Sequence, residues 1–304
     1  MFFYAEALLK DSMTYEGGTI WTSYFSNTII IGVHMTKIGD LKGYAYPTPT
    51  GISSVIGNLP WHFGTEHLGL IYKTDPDIVA SYLPEPLEPG EFPDRVFVEF
   101  GKWFSLWDQT DMPYVNPERT WYQETVIWVN SSYKGEQGKT CIQTWVDKDF
   151  SMFRGMVMGF HKKFGNTFKS TYHRMNPQMP ELAVGSKMKG WLSAHGERLM
   201  EGTLDIKEKI KYTDLPKPIL LPFFNIRYFP SIVPGASPSV HELIRLDAKD
   251  FRNDDYVWAG DGSLKFFPSE IEEFTRLKVK EIERAYYFEN GCTITGGEVL
   301  HSWV

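Results

Sequence analysis

The chain has 304 residues, 42% hydrophobic and 15% aromatic, enough to bury a sizeable core in one domain or two. Its 23% charged residues are ordinary for a soluble globular protein, and a net charge of −7 argues against a nucleic-acid partner, which needs clustered Lys and Arg. No apolar run approaches the roughly 20 residues that span a bilayer, and no basic region precedes a long apolar stretch at the N-terminus, so neither a membrane partner nor a secretory leader is expected.

Residues 1–57 read as an N-terminal extension or lid on a core domain over 58–304, since Gly, Pro, Ser and Thr crowd residues 39–60. Strand signals dominate from residue 60. Residues 68–72, 95–100, 125–130 and 140–146 are rich in β-branched and aromatic residues. The last two are joined by the polar, glycine-containing stretch 131–139 and read as a hairpin. Asp75-Pro76 offers an N-cap and a helix-initiating proline before residues 78–83. Residues 203–210 and parts of 241–249 alternate as half-buried strands do. Residues 255–259 and 263–267 flank Gly260-Asp261-Gly262, which predicts a second hairpin. Pro268-Ser269 predicts a helix running to about residue 277, followed by extended segments over 278–288 and 293–304. The fold class expected is α+β, predominantly antiparallel β, with a curved cone- or barrel-like sheet and a few peripheral helices. Two cysteines, Cys141 and Cys292, make no disulfide framework, and two reduced thiols in a cytoplasmic protein are expected.

The stretch with chemistry in it is Gly159-Phe160-His161-Lys162-Lys163-Phe164-Gly165. Adjacent ammonium groups repel, and apolar neighbours make each charge harder to solvate; both effects lower a lysine pKa. An unperturbed lysine, at about 10.4, is neutral about once in 2,500 at pH 7. Lowering it to about 7 makes half the population neutral and requires about 4.6 kcal/mol against the charged form. Desolvation alone can supply that. A neutral amine adds to a ketone, and the iminium that follows is an electron sink. Most Lys-Lys pairs, by contrast, are solvated surface charge.

The context of this pair is a collinear series. Tyr72-Lys73-Thr74-Asp75 precedes Leu83-Pro84-Glu85-Pro86-Leu87-Glu88, then Val98-Glu99-Phe100, Tyr122-Gln123-Glu124-Thr125, the lysine segment, and Gly202-Thr203-Leu204-Asp205. Glu242-Leu243-Ile244 and Val279-Lys280-Glu281-Ile282 complete it. From residue 58 onward this order resembles the acetoacetate decarboxylase superfamily, whose lysine exemplifies activation by desolvation and a neighbouring cation. The resemblance implies a cone-like antiparallel core, a homo-oligomer and a Schiff-base lysine. Lys162 matches that lysine, Lys163 its cationic neighbour, and Glu99 and Glu124 the two pocket carboxylates, which could move protons on the carbinolamine and enamine.

Three positions depart from the family pattern. Thr65 stands where the family has a strand arginine, His161 replaces a proline, and Met156 replaces an acidic residue. Arg119 and Arg154 are candidates to replace the arginine as a carboxylate clamp, and His161 to line the pocket. The ordinary alternatives are surface arginines and a locally hydrogen-bonded histidine. His62 and His67, five apart, would point to opposite sides of a strand, which disfavours a shared metal. Trp103, Phe104 and Trp107 read as packing aromatics or as walls of an apolar pocket. The expectation is a Schiff-base lyase acting on a small keto acid, decarboxylating a β-keto acid through Lys162, with no metal or organic cofactor needed. The alternatives are an aldolase-dehydratase acting on a 2-keto acid with the same lysine, and a non-catalytic small-ligand-binding β-cone protein.

Overall fold

The computed structural model describes residues 54–179 and 181–304, all within the unit Gly43–Val304. The strands are β1 (Trp61–Lys73), β2 (Glu88–Pro89), β3 (Arg95–Trp107), β4 (Trp121–Tyr133), β5 (Glu136–Val146), β6 (Lys162–Phe164) and β7 (Asn166–Lys169). They continue with β8 (Lys187–Ala194), β9 (Glu197–Lys211), β10 (Phe224–Phe229), β11 (Val240–Asn253), β12 (Tyr256–Phe266) and β13 (Glu281–Ser302). Short helices α1 (Pro76–Ala80), α2 (Met112–Val115), α3 (Asp149–Val157) and α4 (Lys217–Leu220) lie between them. The strands form one large curved sheet in the order β6-β5-β4-β3-β1-β13-β12-β9-β8-β7, with β2 on β4 and the β10–β11 pair joined to β13. The α+β, mainly antiparallel fold matches the sequence expectation, although the sheet does not close into a barrel. No helix among the described residues is long and apolar enough to cross a membrane.

Period-two alternation divides each central strand between two environments. Leu68, Leu70 and Tyr72 of β1, Val96, Val98 and Phe100 of β3, and Ile127 and Val129 of β4 enter the main apolar core with Trp145 and Leu204. The alternate residues line a cavity: Thr65 and His67 of β1, Glu99 and Trp103 of β3, Tyr122, Glu124 and Trp128 of β4. One face of the sheet is thus packed and the other is hollow. Near the cavity, β3 carries Gly101, which pairs with His67 on one side and Glu124 on the other. A Cβ there would lie 2.6 Å from Trp103 Nε1, so glycine keeps this row open.

Several elements differ from the sequence expectation. The strand signals at 68–72, 95–100 and 125–146 fall within β1, β3 and the β4–β5 hairpin. The hairpin expected at Gly260-Asp261-Gly262 is absent, because these residues lie inside β12. The glycines serve close approach: a Cβ on Gly260 would meet the Asp205 carbonyl oxygen at 2.0 Å, and one on Gly262 the Ala285 Cβ at 2.7 Å. Residues 278–288 and 293–304 merge into the single long β13. The helix expected before residue 277 is one 3-10 turn, Glu273–Arg276. Helix α3, which the sequence reading passed over, is the longest among the described residues. Most of the expected N-terminal extension, up to residue 53, lies outside the described residues.

Candidate active site

Lys162 reaches the cavity through a parallel crossover. β5 leads into α3, Gly159 reverses the chain at φ +74°, and β6 returns parallel to β5 with Thr144 opposite Lys162. Only glycine suits Gly159, since φ is positive and a Cβ would sit 3.0 Å from the Ile226 carbonyl carbon. Asn225 Nδ2 donates to the Met158 carbonyl at 3.0 Å and holds the turn.

One face of α3 is built around the lysine. Ser151, Arg154 and Gly155 fall at i, i+3 and i+4 and share a side. Lys162 Nζ donates to Ser151 Oγ at 2.9 Å. The lysine stem passes Gly155 so closely that a Cβ there would lie 2.3 Å from Lys162 Cδ. Nζ forms an ion pair with Glu124 Oε2 at 2.5 Å and stands 4.9 Å from the Tyr122 ring centroid and 5.6 Å from that of Phe160. The two side chains are only 3% and 5% exposed. Burial pushes Lys162 below its ordinary value, against the pull of Glu124, and the Arg154 charge adds to the fall. Burial pushes Glu124 up, against Lys162. Both groups are driven toward their neutral forms, with one proton to share.

Arg154 is buried. It donates to Ser105 Oγ at 2.9 Å and lies over the rings of Phe63 and Tyr122, at 4.8 and 5.7 Å. Its Nε has no hydrogen-bond partner, and no carboxylate pairs with it among the described residues.

Glu99 is held differently from Glu124. Burial favours its protonation, but His67 and Lys139 outweigh that and hold it below its ordinary value. His67 sets Nδ1 2.6 Å from Glu99 Oε1 and Nε2 2.9 Å from Asn290 Oδ1. Asn290 Nδ2 in turn donates to the Tyr212 hydroxyl at 3.0 Å. The cavity encloses about 550 Å³ and takes in both carboxylates, Lys162, Lys139 and a largely aromatic and aliphatic wall. Among the described residues, no group of three or more His, Cys, Asp or Glu side chains is arranged to hold a metal ion.

The sequence-predicted residues divide. Lys162, Glu124, Glu99 and Thr65 share the cavity, and Thr65 Oγ1 is buried there without a hydrogen-bond partner. Arg154 is not among the residues that line the cavity: its guanidinium is buried over the rings of Phe63 and Tyr122, which do line it. Lys163 does not join them. Neighbours on a strand point to opposite faces, so Lys163 turns to the core side, lies 4.8 Å from the Trp145 centroid and pairs with Glu272. The cation bearing on Lys162 is Arg154, in place of the expected Lys163. His161 Nε2 donates to the Ile226 carbonyl at 3.0 Å and lines a smaller pocket behind the lysines. Arg119 donates to the Ser54 carbonyl and stacks on Trp107, outside both pockets. Sequence reasoning missed Ser151, Asn290 and Lys139, and considered His67 only as a metal ligand. The i, i+3, i+4 spacing of Ser151, Arg154 and Gly155 was a usable signal had α3 been recognised.

The fold and site together define a class of protein: a curved antiparallel sheet that buries a lysine–glutamate pair against a largely aromatic cavity. The family model described as acetoacetate decarboxylase (ADC) matches residues 44–303, and the chain belongs to that family. It is 25% identical over 276 residues to acetoacetate decarboxylase 1 of Bradyrhizobium diazoefficiens, covering 88% of this chain and 97% of that one. Among solved structures it resembles the enduracididine biosynthesis enzyme MppR complexed with the condensation product of pyruvate and imidazole 4-carboxaldehyde. The TM-score is 0.79 at 30% identity, over 86% of this chain and 98% of that one. An acetoacetate decarboxylase-like enzyme from Sphingomonas wittichii RW1 superposes with a TM-score of 0.76 at 25% identity, over 84% and 98% of the two chains.

Proposed function

We propose that this protein is a Schiff-base lyase that condenses a 2-keto acid with an aldehyde and eliminates water. The observation that carries this reading is Arg154, a buried guanidinium with no carboxylate partner among the described residues, on the same helical face as the serine that holds Lys162. A guanidinium binds a carboxylate bidentately. In a 2-keto acid the carboxylate adjoins the carbonyl carbon and keeps its charge throughout, so the clamp holds substrate and transition state alike. MppR, with its pyruvate condensation product, is the similar structure that accords with this choice.

Neutral Lys162 adds to the keto carbon as protonated Glu124 gives its proton to the keto oxygen; Glu124 then takes a proton from the amine nitrogen and delivers it to the departing hydroxyl, and water leaves to give the iminium. Loss of a proton from the adjacent carbon gives an enamine, with Glu99 and His67 placed to handle that proton. The enamine carbon attacks the aldehyde carbon and forms the new carbon–carbon bond, while the aldehyde oxygen takes up a proton. That hydroxyl then leaves as water, and hydrolysis frees Lys162 and an unsaturated 2-keto acid.

β-Keto acid decarboxylation is the second reading, favoured by the curated acetoacetate decarboxylase relative and served by the same Lys162–Glu124 pair. Borohydride trapping with pyruvate and with acetoacetate, read by peptide mass spectrometry, separates them. The expected result is a reduced pyruvyl group on the Lys162 peptide, an ultraviolet-absorbing enone when an aldehyde is added, and little CO2 from acetoacetate. Arg154→Lys should weaken pyruvate binding by about 10- to 100-fold, since an ammonium cannot replace the fork. Rapid CO2 release without enone formation overturns the condensation reading.

A further inference from the structure

The cavity holds a second amine. Lys139 lies on β5 two residues before Cys141, on the same face, and is 7% exposed. Its Nζ donates to the Ile219 carbonyl at 2.5 Å and stands 5.0 Å from the Trp128 ring centroid and 4.9 Å from that of Phe223. An ammonium has three donors, and a buried one calls for a counter-ion. None is within ion-pair distance among the described residues, because Lys162 claims Glu124 and His67 claims Glu99. Arg252 on the same lining also lacks an ion-pair partner among those residues and adds positive potential.

The two amines are linked by an aromatic strip. Lys162 Nζ is 5.6 Å from Phe160, Phe160 meets Trp128 edge-on at 5.9 Å, and Trp128 and Phe223 lie under Lys139. A keto-acid terminus engaged at Lys162 therefore leaves a flat apolar stretch that ends at a buried cation with no carboxylate at ion-pair distance among the described residues.

We propose that Lys139 binds a carboxylate on the second substrate, which is an aromatic aldehyde bearing an acid group at the end away from the aldehyde. The ring lies along Phe160, Trp128 and Phe223, the carbonyl faces the enamine at Lys162, and the acid meets Lys139. This rests on the condensation reading and names the acceptor class for it. Burial pulls Lys139 down to about 8, while the Glu99 charge supports the ammonium, so it remains cationic at neutral pH.

Benzoate and benzamide, compared by calorimetry, test the subsite without turnover. Wild type should bind benzoate at least about tenfold tighter than benzamide. Lys139→Met should abolish that preference, and Lys139→Arg should retain it even if the methionine variant fails to fold. Absence of benzoate binding, or a preference that survives Lys139→Met and disappears in Arg154→Met, overturns the proposal. With pyruvate present, 4-formylbenzoate should show a KM at least about tenfold below that of benzaldehyde, and Lys139→Met should erase the difference. A benzoate preference with no pyruvate adduct on Lys162 would defeat the condensation reading and keep Lys139 as an anion site. A pyruvate adduct with no benzoate preference would defeat the Lys139 proposal alone.

Discussion

Lys162 Nζ and Glu124 Oε2 stand 2.5 Å apart in a site where burial drives the amine pKa down and the carboxyl pKa up. The pair is therefore close to proton exchange, which is what imine formation needs: a free lone pair and an acid beside it. Removing the negative charge of Glu124 should lower the Lys162 pKa further, because that charge supports the ammonium. Glu124→Gln is expected to move the acid limb of the borohydride-trapping profile to lower pH. Turnover should fall by about 10²- to 10⁴-fold, the usual contribution of a positioned acid–base group. A slower turnover with an unmoved acid limb would mean that Glu124 does not set the lysine's charge state.

Gly155 faces two opposing effects. Alanine in a helix is ordinarily better than glycine by about 0.5–1 kcal/mol. Here the added methyl would fall 2.3 Å from Lys162 Cδ, and overpacking of that kind costs about 1–3 kcal/mol. The clash should win. Gly155→Ala is expected to be less stable in denaturant melts and to trap pyruvate at least about tenfold more slowly, since Nζ must leave Ser151 and Glu124.

Lys163 carries the opposite expectation. Its head is on the core face with Glu272, whose other oxygen accepts from Trp145 Nε1 at 3.2 Å. Lys163→Ala leaves a buried carboxylate without its cation, which should destabilise the fold by about 1–3 kcal/mol. The pH at which Lys162 becomes reactive should stay where it is in the wild type. A shift in the trapping profile would restore Lys163 as the activating cation.

The lowered pKa of Lys139 makes stability depend on pH. The folded value is about 8 and the unfolded one about 10.4, so between them the unfolded chain holds the extra proton and stability rises with pH. Below about pH 8 both states are protonated and the native state bears the full burden of the buried charge. Lys139→Met should therefore stabilise the protein most at neutral pH, and its advantage should narrow by about 2 kcal/mol between pH 7 and 9.5. Paired urea melts at the two pH values check this. An advantage that stays constant would place Lys139 in a solvated setting.

Much of this fold could be read in the chain because strand periodicity is local. The alternation in β1, β3 and β4 carries the core face, and the β4–β5 hairpin announces itself by its polar connector. Gly260 and Gly262 misled, since a glycine that permits close strand approach looks the same in sequence as one that makes a turn. Helix α3 was obscured by its mixed composition and short length, and with it went the meaning of Ser151 and Gly155.

The amino-acid sequence alone determined the antiparallel framework and singled out Lys162 and the two glutamates that share the cavity, because alternation and residue type decide which side chains face the hollow side of the sheet. Only the tertiary structure decided which cation stands by that lysine and which groups pair across the cavity. Consecutive residues on a strand diverge, so the adjacent Lys163 is spatially remote from its neighbour's head. Arg154, His67 and Lys139 are brought in from other elements by the crossover, by cross-strand register and by the hairpin, contacts that no local pattern encodes.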